Sequence, residues 1–102
     1  MTAAERRINA LRRGIARRRK ELDSCGKRLA KNTVKSRRAL DVQDFVEAAG
    51  AEDENSRLAR QKICLESTIW LEQQWLKRTV EEVTATGGTV PASDPDLYSG
   101  GI

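Results

Sequence analysis

The chain has no histidine, and only two cysteines, two prolines and four aromatic side chains among 102 residues. Each scarcity excludes something. With Cys25 and Cys64 alone and no histidine, there is no zinc-ligand spacing and no disulfide framework. A glycine-rich phosphate loop and a paired-carboxylate pocket are also missing, and the acidic stretch 41–54 lacks the Asp-x-Asp-x-Asp-Gly order of a calcium loop. The expectation is therefore a protein that is not an enzyme and that takes no metal, cofactor or small molecule. No run approaches the ~20 apolar residues of a membrane span, and no apolar segment follows the first residues as a signal peptide requires. A cytoplasmic protein with no membrane partner is expected. So few aromatics leave a thin, aliphatic core.

What the chain does have is charge, unevenly placed. Residues 1–40 hold 14 Lys or Arg against Glu5, Glu21 and Asp23, a net of +11. Residues 41–102 hold 5 basic against 12 acidic residues, a net of −7. Such asymmetry between halves points to a polyanionic partner or to self-association.

Hydrophobic periodicity predicts an all-α chain. Thr2 and Glu5 have capping-box spacing, and Ile8, Leu11, Ile15, Leu22, Cys25 and Leu29 then hold a heptad seam with Arg18 and Asn32 as polar entries. With no proline to interrupt it, a first helix is expected over about 3–37. Gly14 and Gly26 lie beside the seam and read as tolerated glycines. A short second helix is expected over 42–49, capped by Asp41, stapled by Leu40 and Phe45 and stopped by Gly50. A third helix is expected over 53–85, and 87–102 reads as a flexible tail in which Leu97 and Tyr98 are the only docking candidates. Residues 1–86 then make one helical domain.

The last long helix carries two apolar faces. Leu58, Leu65, Ile69, Leu76 and Val83 form one; Ile63, Cys64, Trp70 and Leu71 form the other, with Trp75 at its border. In an antiparallel hairpin, facing residues have nearly constant summed numbers. Sums of 90 or 91 pair Ile8 with Val83, Ile15 with Leu76, Leu22 with Ile69, Cys25 with Leu65 and Asn32 with Leu58. The same sums set Arg18 against Glu72, a pair that reads as a register device. The fold class expected is an antiparallel helical hairpin of two long helices with a short helix at the turn, assembling as a dimer in a four-helix bundle. Both cysteines are expected to be reduced and buried.

Two surfaces are candidates for function. The outer stripe Ile63, Trp70, Leu71 and Trp75 is a contiguous apolar patch with two tryptophans, which suits a protein interface. The outer ridge of the first helix repeats Arg6, Arg13, Lys20 and Lys27 every seven residues, flanked by Arg12, Arg17, Arg19 and Lys31. An ordinary solvated helix face mixes signs, whereas this one repels itself and calls for an anionic partner. It has no interleaved aromatic and no base-reading element, so any nucleic-acid binding would be sequence-independent. In outline, a hairpin of about a hundred residues with a tail is similar to the WXG100 proteins exported by type VII secretion. Residues 39–54, however, hold no Trp-x-Gly turn, and the arginine content is higher. In style the chain also resembles small helical accessory proteins of phages and mobile elements, some of which inhibit host machines. The sequence leads to a non-enzymatic interaction protein that docks on proteins and on itself, with nucleic-acid binding as the alternative.

Overall fold

In the computed structural model, which describes residues 2–92, the chain forms two helices, α1 (Ala3–Asp41) and α2 (Phe45–Ala85). They pack against each other as an antiparallel hairpin 66 Å long. α1 starts where the sequence places it. The Thr2 hydroxyl accepts a hydrogen bond from the Glu5 backbone N–H at 3.1 Å, and the Glu5 carboxylate accepts one from the Thr2 N–H at 3.0 Å. Two of the donors orphaned at a helix start are thereby satisfied.

The turn is tighter than expected. α1 runs on to Asp41, with Val42 as its C-cap and Gln43 in the left-handed region at φ 59°. The Gln43 N–H donates to the Leu40 carbonyl at 3.0 Å and the Asp44 N–H to the Ala39 carbonyl at 2.8 Å, the paired bonds of a Schellman stop. Asp44 then caps α2, its carboxylate accepting from the Glu47 N–H at 3.1 Å. One residue thus closes one helix and opens the next. No separate helix over 42–49 exists: Phe45 is already the first residue of α2, and Asp41 is not a cap. Gly50 lies inside α2, in open space, and does not stop it. A single glycine costs a helix about 1 kcal/mol, too little to interrupt a long, packed one. The expected staple is also absent, since Leu40 and Phe45 are both exposed. Because left-handed backbone is strained in any residue with a Cβ, Gln43→Gly is expected to stabilise the hairpin by up to about 1 kcal/mol. Asp44→Ala is expected to cost about 1 kcal/mol, and thermal unfolding of the two variants reads both signs.

The far end closes by the same device. Gly87 has φ +76°, its N–H donates to the Thr84 carbonyl and the Gly88 N–H to the Val83 carbonyl. Gly87 takes the left-handed backbone without the strain Gln43 bears, and a Cβ at Gly88 would sit 2.9 Å from Val83 Cγ1, so both positions favour glycine.

Between the ends the core is thin. Near the turn it consists of Ala39, Ala48 and Ala51 with Ser36, small side chains that let the two backbones approach. Cys25, Asn32 and Leu58 follow, and Ile8, Ile15, Ile69, Thr79 and Val83 fill the open end. Of the expected α2 core face, Leu65 and Leu76 are only half-buried. The Cys25 thiol donates to the Leu58 carbonyl at 3.2 Å, two turns earlier than the Leu65 contact expected. Bonds joining Arg28 to Glu54, Ser36 to Glu52 and Asn55 to Thr33 give summed numbers between 82 and 88. The turn at 42–44 is the reason: a shorter connection moves the facing positions of the upper half toward lower sums. Cys64, expected to be buried, is exposed, because it lies on the side of α2 turned away from α1.

Candidate functional site

The outer stripe is where helical geometry puts it. α2 buries Leu58, Ile69, Glu72, Thr79 and Val83 toward α1. At 100° per residue, Ile63, Trp70 and Leu71 then point the other way, whereas Trp75, three residues after Glu72 and four before Thr79, lies on the flank. The four are 63, 59, 43 and 45 % exposed. Val42, Phe45 and Val46, the side chains that a folded-back helix would have laid over them, are themselves exposed. Phe45 and Trp70 stand 25 residues apart on one helix, about 38 Å at 1.5 Å per residue. Among the described residues the tryptophans are only about half covered. Ser67 and Gln74 lie between the apolar side chains on the same face, and Arg60, Arg78, Glu81 and Glu82 prolong it at its two ends, all of them exposed.

On α1 the side opposite α2 carries the cations. Arg6, Arg13, Arg17, Lys20, Lys27 and Lys31 are all exposed. Lys27 pairs with Asp23 at 3.1 Å within the same helix, an exposed contact of small energetic weight. Among the described residues no ion pair engages Arg13, Arg17, Lys20 or Lys31. Stripe and ridge therefore face in opposite directions, and a partner on one leaves the other accessible.

Arg12 does not belong to the ridge. It is buried, and its Nη1 donates to the Pro91 carbonyl at 2.7 Å. The first part of the expected tail is thus held against the start of α1, while Leu97 and Tyr98 lie outside the described residues. Sequence reasoning missed this bond because nothing in residues 87–92 marks a backbone acceptor. It also missed a second apolar surface at the turn, where Val34, Ala39 and Val42 line a groove rimmed by Lys31, Lys35, Arg38 and Glu47.

Arg18 and Glu72 meet across the seam, as their summed numbers require. Arg18 Nη1 lies 2.8 Å from Glu72 Oε1 and donates to Oε2 at 3.0 Å. Glu72 is buried, whereas the Arg18 side chain retains 29 % of its exposure. Gly14 makes the space: a Cβ there would sit 2.6 Å from Glu72 Oε2 and 2.9 Å from Arg18 Nη1. The glycine read as merely tolerated is part of the polar layer. Gly26, by contrast, faces open space. Alanine at the two positions is expected to act with opposite signs in chemical denaturation. Gly26→Ala gains about 0.5–1 kcal/mol of helix propensity. Gly14→Ala gains the same but displaces the buried carboxylate from its partner, for a net loss of about 1–2 kcal/mol.

Among the described residues no group of three or more His, Cys, Asp or Glu is placed to hold a metal ion, and no helix is long and apolar enough to cross a membrane. No protein-family model, no curated protein and no solved structure matches this chain.

Proposed function

We propose that this chain is a non-enzymatic helical interaction protein of accessory, adaptor or inhibitor type, acting in the cytoplasm by docking on protein and by self-association. The observation that supports this reading is the stripe Ile63, Trp70 and Leu71, exposed on the side of α2 that α1 leaves bare, with Trp75 half exposed at its border. Three large apolar side chains on one helix face, Trp70 among them, with Trp75 at the border, have the composition of an interface centre. A hairpin of two long helices completes its core by pairing with a second hairpin as a four-helix bundle. The cationic ridge then faces outward and steers acidic partners toward the assembly.

The unpaired run Arg13, Arg17, Lys20 and Lys31 favours a second reading, in which the ridge tracks the phosphates of nucleic acid without reading bases. Light scattering coupled to size exclusion, at low and high salt and with a random duplex present or absent, separates the two. Protein docking gives a dimer that persists in high salt and is indifferent to the duplex. Phosphate tracking gives co-elution with the duplex that is lost steeply as salt rises. A monomer in every condition would remove the self-association reading.

A further inference from the structure

The self-association proposed above also has a direction and a centre, and we infer that α2 pairs with α2 of a second copy antiparallel, about a two-fold axis between Trp70 and Leu71. The inference rests on that reading and adds to it the arrangement of charge along the outer face. From its N-terminal to its C-terminal end the outer face reads Arg60, Ile63, Ser67, Trp70, Leu71, Gln74, Arg78, then Glu81 and Glu82, all exposed. One end is basic, and the other carries two acids, Glu81 and Glu82, against one base, Arg78.

A parallel pairing sets Arg60 beside Arg60, with no acid within a turn of either, and brings Glu81 and Glu82 beside their own copies, where only Arg78 offsets them. The antiparallel pairing removes that conflict. With the axis between Trp70 and Leu71, each Trp70 is level with Leu71 of the other copy, Ser67 stands opposite Gln74, and Ile63 stands opposite Arg78, whose aliphatic stem lies along it. Arg60 comes within a turn of Glu81 and Glu82 of the other copy. On the flank, Glu66 comes within a turn of Lys77, both exposed, so the match is repeated outside the centre. A two-fold axis makes each of these contacts twice. From residue 60 to residue 82 the paired segment is about 33 Å long at 1.5 Å per residue, room for six turns of contact. The axis crosses the apolar centre and leaves the α1 ridges on the two outer sides of the bundle.

Cys64 is a built-in reporter. In this register it sits 13 positions from Cys64 of the other copy, about 20 Å away, well beyond disulfide reach. In a parallel pairing the two Cys64 residues would be adjacent. Mild oxidation of the wild-type dimer is expected to give no cross-linked species, whereas Leu71→Cys in a Cys64→Ser background cross-links to a covalent dimer. Circular dichroism of each variant confirms that the helices are intact. A second readout uses charge. Arg60→Glu is expected to weaken association about tenfold, and adding Glu81→Arg and Glu82→Arg to restore it. Cross-linking through wild-type Cys64, or a triple charge variant no tighter than Arg60→Glu, would overturn the antiparallel pairing while leaving a dimer in place. A wild-type monomer would overturn the self-association reading itself, and this inference with it.

Discussion

Arg18→Met is expected to destabilise the hairpin by about 3 kcal/mol in urea or thermal denaturation at fixed protein concentration. Its loss leaves the Glu72 carboxylate, among the most buried polar groups described, without the guanidinium that holds it at 2.8 Å. An uncompensated buried charge is the costly half of a broken ion pair. The reverse change, Glu72→Leu, is expected to cost less, about 1–2 kcal/mol, because the partly exposed Arg18 can turn its head to water. The double variant Arg18→Met with Glu72→Leu is expected to lie close to the wild type or above it, since two apolar side chains replace a pair whose desolvation offsets its attraction. The coupling energy from the full cycle is then large and favourable although the pair adds little net stability. What the double variant loses is specification. With no charged layer in the seam, a slip by one heptad no longer strands a carboxylate, and the two helices acquire alternative alignments.

The second large effect falls on self-association. Trp70→Ala is expected to weaken the dimer by about 30-fold or more, roughly 2 kcal/mol, with Trp75→Ala somewhat milder at the border of the patch. Both side chains are about half exposed in the single hairpin, so the stability of the protomer should change little. Reversing charge on the opposite side, with Arg13→Glu and Lys20→Glu together, should leave the dimer constant unchanged in high salt. The same double reversal would abolish binding to a random duplex if phosphates are a ligand. A Trp70→Ala protein that self-associates as tightly as the wild type would contradict the role given to the stripe.

Much of the hairpin was legible because its determinants repeat. The seam from Ile8 to Leu29 and the face from Leu58 to Val83 each recur at helical spacing, and the Arg18–Glu72 layer fixed their alignment through a single pair of charges. The turn was not legible, because it depends on one residue's backbone. Gln43 takes up a left-handed conformation for which glycine is the usual marker, while Gly50, which carries that marker, sits in a helix interior. Sequence placed the stop at the glycine, and the shift of the facing positions followed from that. Gly14 was misread for a related reason: its importance lies in a carboxylate from a residue 58 positions away. It does stand four residues before Arg18, on the same helix face, and that spacing was the available sign. For Arg12 no such sign existed, since its acceptor is a backbone carbonyl in a segment without periodicity.

The proposed dimer requires the outer face of α2 to be turned toward a second copy of the chain. Sedimentation equilibrium of the wild-type protein in high salt, across a concentration series up to about 100 µM, tests this most directly. The predicted result is a weight-average mass rising to twice the protomer's 11.4 kDa, with the rise shifted to higher concentration by Trp70→Ala. A mass that stays at 11.4 kDa throughout would contradict it.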